Sequence, residues 1–230
     1  MTVFYLMTCL VLSLASAAEP DSYSSNFKDK YGLSLQAIYY MDDRDFNTLA
    51  VTTAVSKLPY NVSFWGFTDF HGSQASSRDR RRLIRSFSEY RLSYSLEEIT
   101  GIKGLGLETE YNYFSTSDKS IWRFGPVYKH AIPFLRKGSW LKWRVHPLQS
   151  DKNWQASVIY RVSLSEKWSM SGFADYNINS GPDRWILEPQ LNYQINKNLS
   201  LHLEYRHNGF EDANKNLRGN GVAIGVGVKF

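Results

Sequence analysis

The chain has almost no cysteine. Cys9 is the single one among 230 residues, and apolar residues continue past it, so a lipid-modified cysteine is not expected. Without a second thiol there is no disulfide and no thiolate zinc site. Long apolar runs are missing too. After residue 18 no stretch reaches the roughly 18 apolar residues that a helix needs to cross a bilayer, and the mean hydropathy is −0.40, which excludes lipid-facing helices. Phosphate-binding glycine motifs are absent: Gly101-Ile102-Lys103-Gly104-Leu105-Gly106 has the glycines but reads as turn and strand with no helix following it. No His, Asp and Glu fall at metal-ligand spacing, so neither metal nor cofactor is expected. The net charge of +5 is mild. Its basic residues mostly alternate along strands, which argues against nucleic acid as a partner.

What is present begins at the C-terminus. Val222, Ile224, Val226, Val228 and Phe230 occupy one face of a strand, and Gly221, Ala223, Gly225, Gly227 and Lys229 the other. A strand of about ten residues at period two, ending on an aromatic, fits the closing strand of an outer-membrane β-barrel, where one face meets lipid. It would also fit the edge of a soluble sheet. The other end of the chain favours the membrane: residues 4–14 are apolar and lead into Ala15-Ser16-Ala17-Ala18, a small-residue cleavage site. The expectation is a secretory signal at 1–18 and a barrel over 19–230, although residues 1–4 lack the usual positive charge. The aromatic content of 15% suits interfacial girdles, and would also suit a ligand-binding sandwich.

Alternating segments predict strands at 31–41, 47–56, 60–70, 84–97, 103–114, 119–130, 138–147, 152–162, 167–177, 183–195, 198–208 and 218–230. That is twelve, the even number that a bacterial single-chain barrel has, so the fold class is all-β, a transmembrane antiparallel up-and-down barrel. Short connections at 57–59, 99–103, 163–166 and 194–197 would be periplasmic, with a longer one at 131–137. Longer loops at 71–83 and 209–217 would be outside. In each strand one row avoids charge. Leu199, Leu201, Leu203 and Tyr205 should meet lipid while Ser200, His202, Glu204 and Arg206 face the lumen. By the same division Leu105, Leu107 and Tyr111 lie outside, and Glu108 and Glu110 inside. Trp185, Leu187, Leu191 and Tyr193 lie outside, and Arg184, Glu188, Gln190 and Asn192 inside. A midplane Arg or Lys on the lipid face costs about 2 to 4 kcal/mol, which enforces the sorting.

An internal repeat is visible. Ser63-Phe64-Trp65-Gly66-Phe67-Thr68-Asp69-Phe70 and Ser169-Met170-Ser171-Gly172-Phe173-Ala174-Asp175-Tyr176 share the pattern Ser-x-x-Gly-Phe-x-Asp-aromatic. Arg85, Glu89, Leu92, Tyr94 and Leu96 then match Arg184, Glu188, Leu191, Tyr193 and Ile195 in spacing. Glu110-Tyr111 matches Glu204-Tyr205. Two six-strand halves are implied, unless the strands merely share a loose barrel template.

With Phe87-Ser88-Glu89, Ser95-Leu96-Glu97, Ile99-Thr100, Leu191-Asn192-Tyr193, Glu204-Tyr205-Arg206-His207-Asn208-Gly209 and the Gly-rich last strand, these segments resemble the nucleoside-specific outer-membrane channels, the Tsx-like family. The likeness covers most of 60–230. It implies a narrow monomeric twelve-stranded barrel that passes nucleosides along aromatic and ionisable wall residues, without catalysis. Trp65, Phe67, Phe87, Phe114 and Phe173 are then the candidate stacking surfaces, since a base ring gains about 1 to 3 kcal/mol on an aromatic whatever its identity. Asp69, Glu89, Asp175 and Glu188 are candidate acceptors for ribose hydroxyls, with Arg85, Arg91 and Arg184 as ionic neighbours. Inward aromatics can also simply fill a narrow barrel, and inward Glu–Arg ladders can simply tie strands together. The expected partners are outer-membrane lipid and lipopolysaccharide, a small polar solute, and the barrel-assembly machinery through the strand ending at Phe230.

Other functions stay open at this point. A porin for acidic oligosaccharides would place cations in the lumen, as Lys142, Arg144, Arg161 and Arg206 would be, and the run Arg78-Asp79-Arg80-Arg81-Arg82 could gather anions or pair with lipopolysaccharide phosphates. An outer-membrane lipid hydrolase needs a His beside a nucleophilic Ser on the membrane-facing surface. His207-Asn208-Gly209 lacks the Ser, and His71, His130, His146 and His202 show no Ser-bearing motif. A purely structural or adhesive barrel closed by its own side chains is the remaining alternative.

Overall fold

A computed structural model of the protein describes residues 28–44, 46–73, 83–116, 120–210 and 219–230. The expected signal segment, the Arg78 to Arg82 run and most of the expected 209–217 loop lie outside the described residues. The strands are β1 (Leu33–Asp42), β2 (Phe46–Leu58), β3 (Val62–Ser73), β4 (Leu83–Ser95), β5 (Leu105–Phe114), β6 (Ile121–Ala131), β7 (Trp140–His146), β8 (Leu148–Gln149), β9 (Trp154–Ser163), β10 (Trp168–Ile178), β11 (Arg184–Gln194), β12 (Leu199–Asn208) and β13 (Gly219–Lys229). All pairings are antiparallel. β13 returns to β1, with Tyr40 opposite Gly225 and Ile38 opposite Gly227, and the Phe230 N–H donates to the Leu35 carbonyl at 3.0 Å. The sheet therefore has no free edge, which removes the aggregation hazard of unpaired strand groups.

Twelve wall strands result, because β7 and β8 are one strand broken at Pro147. Both pair with β6, but the register steps by one residue between Val127↔Arg144 and Phe124↔Leu148. Proline has no N–H to give the ladder, so it sits at a bulge. Gly125 stands opposite the break, where a Cβ would collide with the Val145 carbonyl. The expected strand positions are met within a few residues, with one departure at the end of β4. Residues expected to extend that strand to 97 instead turn into a single helical turn, α1 (Glu97–Thr100), capped by Gly101 at φ 71°. The connection there is longer than the sequence suggests.

The two faces sort as charge requires. On β12, Leu201, Leu203 and Tyr205 are exposed on the outside, and Ser200, His202, Glu204 and Arg206 are buried on the inside. On β13 the outward Val222, Ile224, Val226 and Val228 are exposed. Trp168 stacks obliquely on Tyr193 at 4.7 Å, and Tyr176 on Trp185 at 4.7 Å, at the two ends of one hairpin. Eight residues separate them on β10, which at about 3.4 Å per residue and a tilt near 40° is roughly 21 Å of height, close to the apolar band of an outer-membrane barrel.

The inner face of β13 is small because neighbours lie across it. A Cβ on Gly225 would stand 2.6 Å from the Tyr40 ring, and one on Gly227 2.6 Å from His202 Nε2. Tyr40 thereby reaches over β13 and β12 to accept a hydrogen bond from Gln190 of β11. The alternation with glycine at the C-terminus thus serves the lumen as much as the lipid face.

Candidate functional site

The nine residues expected to meet a solute stand on the inner face. Trp65, Phe67 and Asp69 form one side of β3, and their register partners on β4, Arg91, Glu89 and Phe87, point the same way. Phe114 on β5 faces Phe87, and Phe173 on β10 faces Glu188 on β11. β3 and β10 are six wall strands apart in the ring of twelve, so the two repeat segments face each other from opposite walls.

Four of the aromatics make a continuous track. Ring centroids are 5.3 Å apart for Trp65 and Phe67, 5.6 Å for Phe67 and Phe87, and 4.9 Å for Phe87 and Phe114, the spacing of favourable tilted and edge contacts. The Arg91 guanidinium caps its lower end, 4.4 Å above Trp65. Phe173 is not part of this track and, among the described residues, makes no ring contact on the far wall.

A second arrangement fills the neighbouring sector of the lumen with ion pairs. Glu110 receives Arg91 (3.0 Å), Arg123 (2.5 Å) and Arg144 (2.8 Å). Glu108 takes Lys142 (2.5 Å) and the Ser93 hydroxyl (2.6 Å), and Arg91 also pairs with Glu89. Arg144, 1% exposed, spans from Glu110 on β5 to Asp175 on β10, 3.5 Å away. Such charges are tolerated without water only because each is paired. Glu108, Glu110 and His146 also bring donor atoms within 4.8 Å of one another, a metal-like grouping. Both oxygens of Glu110 are already held by guanidinium groups and Glu108 by Lys142, so this cluster works as an ion-pair network.

A smaller network ties the opposite wall. Arg206 pairs with Glu204 and with Asp42 (3.3 Å), donates to Thr48 (3.3 Å), and lies 4.6 Å over the Tyr40 ring. Of the ionic neighbours anticipated from sequence, Arg85, Arg91 and Arg184, it is Arg91 that joins the network, through Glu89 and Glu110. Most of the pairing instead falls to Arg123, Lys142, Arg144 and Arg206, of which sequence reasoning named three only as lumen cations. The alternation Lys142-x-Arg144-x-His146 was the available signal, since i and i+2 share a strand face.

The two arrangements divide the lumen. Trp65, Phe67, Asp69, Phe87, Phe114, Phe173 and Glu188 remain half-buried, and so reachable, whereas Glu89 and Asp175 are withdrawn into the ion-paired sector. The half-buried set stands on β3–β5 and, across the lumen, on β10–β11. Toward the short-turn end lies a cavity of about 130 Å³ lined in part by Arg161, Ser171, Asn192 and His202. One sequence expectation is corrected here. His202 does have a serine partner: Ser200, two residues earlier on β12 and on the same face, places its Oγ 2.8 Å from His202 Nε2.

No protein-family model matches this sequence, and no curated protein is similar to it. Solved structures are similar in fold. The KdgM porin superposes with a TM-score of 0.55 at 12% identity, over 86% of this chain and 99% of its own. The fold is that of outer-membrane porins. OmpF of Salmonella typhi is more distant, with a TM-score of 0.41 at 9% identity over 86% of this chain and 97% of its own. A closed porin-like barrel with an apolar outer belt and a polar, ion-paired interior follows from the ring closure, the sorting of the faces and the likeness to the KdgM porin. They bear on architecture, and the solute must be read from the wall.

Proposed function

We propose that this protein is a narrow outer-membrane channel for small polar solutes that carry one flat ring, nucleosides first among them. The observation that supports this is the aromatic track Trp65–Phe67–Phe87–Phe114 on the lumenal wall. Flat rings slide along such a surface at about 1 to 3 kcal/mol per stacked base, independent of base identity. Asp69 and Glu188 offer acceptors to ribose hydroxyls from opposing sides of the lumen. Conduction needs binding that is weak and repeated, which a row of rings provides better than one deep pocket. The resemblance to Tsx-like channels supports the same reading, as does the mutual neutralisation of the ion-paired sector, which leaves little net field to select anions.

A second reading has its own observation. Lys129 and Arg161 face the lumen at the short-turn end and have no salt-bridge partner among the described residues, as a channel for acidic oligosaccharides would require. Single-channel conductance in a planar bilayer, titrated with adenosine, thymidine, a neutral sugar and an acidic oligosaccharide, separates the two. Saturable block by nucleosides that weakens in Phe67→Ala supports the first. Block by the acidic sugar alone, lost in Arg161→Gln, supports the second. Absence of conductance overturns both.

A further inference from the structure

Three side chains at the short-turn end of the lumen carry chemistry that a channel does not use. Ser200 and His202 share the inner face of β12, and Asn192 on β11 is the register partner of His202. Ser200 Oγ lies 2.8 Å from His202 Nε2, and His202 Nδ1 lies 2.7 Å from Asn192 Oδ1 and 3.2 Å from Gln190 Oε1.

Proton positions follow from the partners. The Asn192 amide nitrogen donates to the Ser169 carbonyl at 3.3 Å and to Ser171 Oγ at 2.9 Å. A carbonyl can only accept, so the Asn192 oxygen is the atom turned toward His202. Gln190 is oriented in the same sense, because its nitrogen donates to Tyr40 and to Glu204 (2.6 Å). Facing two amide oxygens, His202 Nδ1 must carry the ring proton. Nε2 is then the bare acceptor, and the Ser200 hydroxyl donates to it in preference to the Gly227 carbonyl at 3.4 Å. These are the contacts of an activated serine: nucleophile, base and an orienting group joined by successive hydrogen bonds.

The setting is accessible to a small molecule. Ser200 and His202 are 6% and 5% exposed and line the cavity of about 130 Å³, together with Ile38, Arg161 and Ser171. Ser171 accepts from Asn192 and keeps its own proton for a ligand oxygen. Arg161 supplies a cation with no salt-bridge partner among the described residues. Gly227 forms the floor, where a Cβ would stand 2.6 Å from His202 Nε2 and 2.8 Å from Ser200 Oγ. All three residues face the lumen, so membrane lipid cannot reach them; the substrate must be a solute.

We propose that Ser200, His202 and Asn192 form a lumenal acyl-transfer site that hydrolyses short-chain carboxylate esters of hydroxylated solutes. Ser200 Oγ forms a bond to the ester carbonyl carbon as its proton passes to His202 Nε2, and the carbonyl electron pair moves onto oxygen, facing Arg161 and Ser171. That pair returns as the ester C–O bond breaks, and the departing alkoxide takes the proton from Nε2 and leaves as the alcohol. Water then repeats the sequence on the acylated serine, with His202 again accepting and returning the proton. The carboxylic acid is released and Ser200 is restored, so ester and water have become alcohol and acid. Asn192 holds the imidazole in the productive tautomer and is a positioning residue.

The test is made on the refolded full chain in detergent micelles, with p-nitrophenyl acetate as substrate and a fluorophosphonate as covalent probe, and does not depend on whether the barrel conducts. The expected result is a single adduct mapped by peptide mass to Ser200, and hydrolysis that falls at least about 100-fold in Ser200→Ala, the lower bound for losing an activated catalytic group. His202→Gln should abolish the adduct while the barrel retains its faster migration in unheated gels. Asn192→Ala should lower the acylation rate and change its pH profile, which a residue that only packs would not do. An unlabelled Ser200 in the folded wild type, with hydrolysis equal to that of Ser200→Ala, overturns the proposal.

Discussion

Replacing Arg144 by methionine tests whether the ion-paired sector of the lumen is dry. Methionine keeps most of the side-chain volume and removes the charge. Removing one member of a buried pair ordinarily costs roughly 3 to 5 kcal/mol, because the other charge is left uncompensated. Here the consequences differ by partner. Glu110 keeps Arg91 and Arg123, and Glu108 keeps Lys142. Among the described residues Asp175 keeps only a neutral donor, Gln155 at 3.3 Å. One carboxylate is therefore orphaned rather than three, and the expected cost is about 3 kcal/mol, at the low end of that range. Adding Asp175→Asn removes the orphan and should restore about 1 to 2 kcal/mol, a coupling measurable by a double-mutant cycle. Urea midpoints for folding into lipid vesicles give these values, provided the slope is unchanged between variants. A cost below about 1 kcal/mol for Arg144→Met, with no rescue by Asp175→Asn, would mean that water reaches this sector and that the reading of it as a dry, ion-paired half of the lumen is incorrect.

Three further perturbations address the wall. Phe67→Ala interrupts the aromatic track and should weaken nucleoside block of single-channel current by about 5- to 150-fold, equivalent to one stacked base at about 1 to 3 kcal/mol; an unchanged block constant would remove the track from the solute path. Gly225→Ala places a methyl against the Tyr40 ring and should destabilise the barrel by about 1 to 3 kcal/mol as an overpacking substitution. Gly225→Ala combined with Tyr40→Ala should recover part of that loss, and failure to recover it would show that the clash lies elsewhere. Leu203→Arg puts a charge on the exposed outer face of β12 and should cost about 2 to 4 kcal/mol in vesicles, with a much smaller effect in detergent, where the charge can reach water.

Much of the architecture was legible because a barrel strand has only two environments, and a lipid-facing row cannot hide a charge. Leu201, Leu203 and Tyr205 against His202, Glu204 and Arg206 identify a membrane strand without reference to any other segment. The break at Pro147 was less legible, because a proline can end a strand or bulge it, and the choice depends on whether β6 pairs on both sides of it. The helical turn at Glu97–Thr100 was missed for a related reason: its charges and apolar residues fit an alternating pattern as well as a turn. Of the candidate site, the inward direction of Trp65, Phe67, Asp69, Phe87, Glu89, Phe114, Phe173, Asp175 and Glu188 could be read from alternation. Their grouping could not. That Trp65, Phe67, Phe87 and Phe114 touch while Phe173 stands alone depends on the register between β3, β4 and β5.

The sequence by itself determined the number of wall strands, the face each presents to lipid, and the residues available to the lumen, because local period-two alternation and the cost of burying charge in hydrocarbon act strand by strand. Only the tertiary structure decided which inward residues meet. Arg144 reaches Asp175 across one intervening strand of the wall, β9, Tyr40 lies over the glycines of β13 to meet Gln190, and Asn192 turns its oxygen to His202 beside Ser200. These contacts arise from the closure of the sheet and the shear between neighbouring strands, which are properties of the whole ring and of no single segment.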